Sequence, residues 1–130
     1  MIQLVTDMAV DTVVERLKAA IAHHAVGLVA HINVQANAAK RGLQVSADQI
    51  LEIFRPDYAV KVWAADKTAG LDIPLRLHVY AQDTHTVVAY RLPSVIFSPY
   101  KNPILDLIGR EWDDLFDAIV GDALAVTAPI

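Results

Sequence analysis

The segment at residues 75–80 alternates strictly between aliphatic side chains and polar or aromatic ones. The aliphatic members are Leu75, Leu77 and Val79, and the others are Arg76, His78 and Tyr80. Successive side chains of a strand point to opposite faces of its sheet, so this alternation predicts a half-buried strand. Residues 82–85 then predict a hairpin connection, and residues 86–91 predict the return strand.

The rest of the chain alternates between strand and helix patterns. We predict strands at residues 2–5, 28–34 and 49–54, and helices at residues 8–24, 36–41, from Pro56 onward and within 100–125. The helix at 8–24 has Asp7 as one candidate N-cap, and a capping box starting at Thr12 is the alternative. Asn102 followed by Pro103 is the predicted start of the last helix. The predicted helix after Pro56 places Tyr58 or Ala59, Val62 and Trp63 towards the core.

The order of these elements predicts one domain, residues 1–130, with an α+β fold. Its hairpin makes at least part of the sheet antiparallel, and a helical layer against one sheet buries both apolar surfaces economically. We therefore expect a two-layer structure with helices on one face, in which the aliphatic side of residues 75–80 is covered. The acidic residues of the last helix are expected to form its solvated side.

The composition argues against several kinds of partner and of functional site. The net charge of −4 argues against nucleic acid and anionic membrane as partners. The absence of cysteine excludes disulfides, thiolate catalysis and cysteine-based zinc sites. No signal peptide and no apolar run of about 20 residues is recognisable. We expect a cytoplasmic protein, with an exported form whose signal has been removed as the alternative.

Several stretches together resemble one family. They are INVQANAAKRGLQ, ILEIFRPDYAVKVW, TAGLDIPLRLHVY and TVVAY, within residues 28–95. The chain is similar there to the DUF302 family, small bacterial and archaeal domains of unknown function. The resemblance implies a TBP-like fold, a curved and mainly antiparallel sheet with helices on one face, often as a dimer. It implies no activity. Many members carry an acidic residue where this chain has Asn33, which puts any chemistry of that acid in doubt here.

The hairpin brings candidate ligand-binding residues together. If Asp83 and Thr84 form a two-residue turn, His78 faces Ala89 and Arg76 faces Arg91. Two facing arginines repel each other unless an anion or an acidic partner lies between them. Arg76, Arg91 and His78 could then bind a carboxylate or phosphate beside Tyr80, and Asn33 completes the candidate set. Alternatively, the arginines pair with acids of the last helix or of another subunit.

Other kinds of site have weaker support. His31 lies in a predicted strand and could meet His78, but two histidines alone do not make a metal site. We predict no metal and no cofactor. No P-loop, G-x-G-x-x-G motif or nucleophile-elbow serine occurs in the chain.

Three functional hypotheses remain open. The first is a non-enzymatic homodimer that binds a small ligand, an anion being suggested by the arginines, or a protein partner on its sheet. The second is an enzyme acting on a small anionic metabolite, with His78 as acid or base. The third is a purely structural interaction module.

Overall fold

The hairpin predicted from the alternating segment forms the centre of an antiparallel sheet. In the computed structural model, which describes residues 1–125, the five strands follow the order β1-β5-β4-β3-β2, and every neighbouring pair is antiparallel. The strands are β1 (Ile2–Thr6), β2 (Gly27–Asn33), β3 (Asp48–Phe54), β4 (Leu75–Gln82) and β5 (His85–Tyr90). The sheet is open, with β1 and β2 at its edges.

Five α-helices and two 3₁₀ segments complete residues 1–125. The α-helices are α1 (Val10–His23), α2 (Val34–Ala39), α3 (Pro56–Ala65), α4 (Pro93–Phe97) and α5 (Pro103–Leu124), and the 3₁₀ segments are Lys67–Asp72 and Ser98–Tyr100. The predicted α+β fold is confirmed. Among the described residues, no helix combines the length and the apolarity that crossing a bilayer requires.

The core lies between the sheet and the helices. Leu75, Leu77 and Val79 of β4 are at most 1% exposed and belong to the same cluster as residues of α1 and α5. Each such side chain contributes about 1.5–3 kcal/mol relative to exposure. The aliphatic side of the alternating segment is therefore the covered side.

The strand register agrees with the prediction. His78 pairs with Ala89 and Gln82 with His85, and Asp83 in the turn has a φ of 54°. Positive φ at the first position of a two-residue hairpin turn matches the twist of the flanking strands. Arg91 follows the last residue of β5, so continuing this ladder by one alternate position places it across from Arg76.

The start of α1 differs from both predictions. Its N-cap is Ala9, whose carbonyl accepts a hydrogen bond from the Val13 amide, and no side chain caps the helix. Asp7 instead contacts His85, with Oδ1 at 3.0 Å from Nδ1. Helix α5 begins as predicted, because Oδ1 of Asn102 accepts hydrogen bonds from two amides of the first turn.

The acidic side of α5 is not simply solvated. Asp113 accepts a hydrogen bond from the Ser94 amide, Glu111 accepts one from the Tyr58 hydroxyl, and Asp122 lies 2.7 Å from His24. These carboxylates fix α4, α3 and the end of α1 against α5. The bond to Glu111 also raises the pKa of Tyr58.

The prediction that Trp63 packs in the core is wrong. Trp63 is 45% exposed, and Lys67 lies over its ring at 5.2 Å. Val62 is fully buried as predicted, and Trp112 is fully buried as well. Trp112 packs against Tyr58 at a centroid distance of 5.3 Å, which fixes the side of α3 that faces α5.

Candidate ligand-binding site on the uncovered sheet face

The polar side of the alternating segment lies on the face of the sheet opposite to the core. Arg76 is exposed, and His78 and Tyr80 are half-buried. In the ladder with β3, these three residues stand opposite Glu52, Ile50 and Asp48 in turn. Directly opposite side chains in antiparallel strands lie about 5 Å apart, so both strands contribute to one surface. We call this surface the open face.

A depression of about 770 Å³ lies over part of the open face. It is lined by sheet residues that include Gln3, Glu52, Arg76, His78, Tyr80 and Ala89, and by Arg91 directly after β5. Its rim is formed chiefly by the segment before β4 and by α4, with Leu71, Asp72, Ile73, Pro74 and Ile96. Volumes of about 300–1,000 Å³ are typical of sites for small molecules.

Two arginines of this depression lack an acidic partner. Neither Arg76 nor Arg91 forms an ion pair within residues 1–125, although Glu52 is directly opposite Arg76. Each exposed guanidinium therefore keeps its donors available to an anion. An arginine can bind a carboxylate or phosphate through two parallel hydrogen bonds.

His78 is held in place by two neighbours. Its Nε2 lies 2.8 Å from Oδ1 of Asp48, and its ring lies 4.7 Å from the Tyr80 ring at an angle of 36°. When the proton is on Nε2, the imidazole donates to Asp48 and leaves Nδ1 as an acceptor. No residue within 1–125 hydrogen bonds to Nδ1, so this nitrogen is free for a ligand.

The rim is tied to the helical layer through Asp72. The Tyr100 hydroxyl donates a hydrogen bond to Asp72, and this bond raises the pKa of Tyr100 to about 12. Next to Asp72, the Leu71 side chain is 90% exposed. The rim thus contains the Asp72 carboxylate, which Tyr100 holds in place, and the exposed aliphatic side chain of Leu71.

Four of the five candidate ligand-binding residues line the same depression. They are Arg76, His78, Tyr80 and Arg91. Asn33 is not among the residues of this depression, and its Oδ1 accepts a hydrogen bond from the Ala36 amide at 2.9 Å as the N-cap of α2.

The predicted meeting of His31 with His78 is wrong. His31 pairs with Leu51 across β2 and β3, so it faces the covered side, and β3 separates its strand from β4. Its Nε2 lies 2.6 Å from Oε1 of Gln49, which in turn donates to Asp11 at 2.7 Å. Within residues 1–125, no group of three or more histidine and acidic side chains is arranged to hold a metal ion.

The acidic residues of the open face were not among the predicted site residues. Asp48 positions His78, Glu52 stands opposite Arg76, and Asp72 lies on the rim. The alternation in DQILEIF already separates Asp48 and Glu52 from the buried Leu51 and could have identified them as open-face residues. Their partners on β4 depend on the register between two strands that are distant in sequence.

Comparisons with known proteins give one family and one fold. The model of the family described as "Domain of unknown function DUF302" matches residues 2–121. A search of curated proteins finds no match. The structure is similar to the crystal structure of an uncharacterized conserved protein DUF302 from Bacillus stearothermophilus, with a TM-score of 0.84 and 20% sequence identity. The similarity covers 95% of this chain and 97% of the other.

Proposed function

This chain belongs to the DUF302 family, and we propose that it is a non-enzymatic, homodimeric domain that binds a small anionic ligand on the open face. The observation that carries the proposal is the pair Arg76 and Arg91 in one depression without an ion-pair partner among residues 1–125. In this proposal the two guanidinium groups bind the anion, His78 supplies a further polar contact, and Tyr80 forms a wall.

Isothermal titration calorimetry with acetate and with inorganic phosphate tests this proposal. We expect Arg76→Gln and Arg91→Gln each to weaken binding by roughly 10- to 100-fold, since hydrogen bonds to charged groups contribute about 1.5–3 kcal/mol. Arg110→Gln is the matched control, because Arg110 is exposed on α5 outside the depression. Binding of neither anion, or equal binding by all three variants, would contradict the proposal.

An enzymatic function is the second candidate, and the contact between His78 and Asp48 favours it. A histidine oriented by a carboxylate is a common arrangement for general acid–base catalysis. If the domain turns over a small carboxylate, His78→Gln and Asp48→Asn both slow the reaction while Arg76→Gln mainly raises KM. Nuclear magnetic resonance of small carboxylates incubated with the protein in D₂O would detect product or deuterium uptake. No change with any member of the panel favours binding alone.

A second copy of the chain is the protein partner that we propose, and strand β2 is the surface proposed for it. Both edge strands, β1 and β2, lack Lys, Arg, Asp and Glu, and β2 is the longer of the two. Leu28 and Val29 of β2 are 39% and 59% exposed beside a shift in register. Edge strands of monomers are usually protected by charges, proline or bulges, because their free backbone groups can pair with another strand, and β2 has only the register shift. Light scattering should give twice the chain mass for the wild type and the single mass for Val29→Lys.

A further inference from the structure

We propose that the anion bound on the open face is a monocarboxylate with an apolar body, of the kind found in medium-chain fatty acids. This inference rests on the proposed anion-binding function and specifies its ligand. The carboxylate binds to Arg76 and Arg91, and the apolar body lies against Leu71, Ile73 and Ile96.

The first support is the position of the arginines relative to the apolar rim. Arg76 is the second residue of β4 and Arg91 directly follows β5, so both lie at the end of the hairpin away from its turn. Residues 71–74 lead into β4 at that same end. At about 3.3 Å per residue, Tyr80 lies about 13 Å further along the strand. The cationic groups are therefore next to the aliphatic rim.

The second support is the exposure of this rim. Leu71 is 90% exposed at the edge of the depression, and Ile73 and Ile96 are half-buried beside it. A single exposed leucine is ordinary on a protein surface. Here, however, it lines the same depression as two isoleucines that also pack against the core, so an apolar ligand there would contact all three side chains.

The third support is the charge of the depression. Its lining contains the carboxylates Glu52 and Asp72 as well as the two arginines, so their formal charges cancel. Asp48 adds another carboxylate beside His78. Repulsion from these groups disfavours a multiply charged anion such as a nucleotide phosphate. In a monocarboxylate, the one negative charge pairs with the two arginines. The rest of such a ligand carries no charge that Glu52 and Asp72 would repel.

A chain-length series measured by calorimetry tests this inference. We expect affinity to rise from acetate through butanoate and hexanoate to octanoate, by up to about fourfold for each methylene group that becomes buried. Leu71→Ser should reduce this dependence on length, and Arg76→Gln should weaken every member by a similar factor. Leu107→Ser is the matched control, because Leu107 is 51% exposed on α5 and lies outside the depression.

The outcomes separate this inference from the proposed function. If acetate and octanoate bind equally tightly, or if phosphate binds through Arg76 and octanoate does not, the anion site stands and the apolar ligand is overturned. If octanol binds as tightly as octanoate and Arg76→Gln has no effect on either, the inference is also overturned. If no anion binds, both fail. Circular dichroism of each variant verifies that it is folded.

Discussion

The Cα of Ser94 lies only 2.7 Å from the position that a β-carbon on Gly109 would occupy. The backbone nitrogen of Ser94 and the carbonyl of Pro93 are also within 3.3 Å of that position. Gly109 therefore lets α4 pack directly on α5, and α4 carries Ile96 to the rim of the depression. This glycine thus positions part of the candidate site.

Gly109→Ala should destabilise the protein. An added methyl group would press on the α4 backbone, which cannot move as a flexible side chain can, and overpacking typically costs about 1–3 kcal/mol. Alanine regains up to about 1 kcal/mol of helix propensity, so we expect a net loss of up to about 2 kcal/mol in urea denaturation. Gly121→Ala in the same helix is the control, since nothing lies within 4 Å of its β-carbon position. A stability gain in both variants would show that α4 moves freely.

His78→Ala should leave stability nearly unchanged and weaken anion binding. The side chains of His78 and Asp48 are 42% and 32% exposed, and partly exposed pairs of this kind contribute about 0–1 kcal/mol. Thermal denaturation and calorimetry with acetate measure the two effects separately. A large fall in melting temperature would assign His78 a structural role instead.

Asn102→Ala should destabilise α5. The side chain accepts hydrogen bonds from the Ile104 and Leu105 amides and donates one to the Ala65 carbonyl. Loss of an N-cap of this type costs about 0.5–2 kcal/mol. Asn102→Asp restores the acceptor but not the donor, so it should recover part of that loss in chemical denaturation. If Asn102→Ala matches the wild type, the cap contributes nothing.

Alkaline pH should weaken the contact between Tyr100 and Asp72. The hydrogen bond to Asp72 raises the pKa of Tyr100 from 10.0 to about 12. Between these values the unfolded chain has released the proton and the folded chain still holds it, so stability falls as pH rises through this window. Tyr100→Phe should therefore show a smaller loss of stability over the same range. Ultraviolet absorbance of tyrosinate gives the pKa directly, and an ordinary value would contradict the contact.

Local signals predicted much of the fold. The alternation at residues 75–80 identified the covered side of β4, and the two-residue turn fixed the register that brings His78 beside Ala89. Asn102 with Pro103 marked the start of α5. In each case, the information lies in neighbouring residues, because strand alternation, turn length and helix capping are local properties.

The errors concern a helix start, the side that a helix buries and the register of a strand. Asp7 lies two residues before the N-cap Ala9 and contacts His85, 78 residues away, a contact that no local pattern specifies. Trp63 directly follows the buried Val62, and the rotation of about 100° between successive helix residues places Trp63 off the side of α3 that faces α5, at 45% exposure. A shift in register between Leu28 and Ala30 changes the face on which the following residues of β2 lie, and this set the orientation of His31.

The arginines of the site were predictable, whereas the pairing of their acidic neighbours was not. Arg76 belongs to the alternating segment and Arg91 follows from the hairpin register. Asp72 reaches the depression through the packing of a 3₁₀ segment against Tyr100, which no local pattern specifies. The charge balance from which we infer a monocarboxylate thus emerges only from the folded structure.

The most direct test of the open face as the binding surface is a titration with acetate and with phosphate. The backbone amide chemical shifts of the protein are measured at each step. We expect at least one of these anions to shift the amide signals around Arg76, His78 and Arg91, while the signals of α1 and of the buried side of α5 stay in place. Shifts concentrated on the helical layer, or none with either anion, would contradict it.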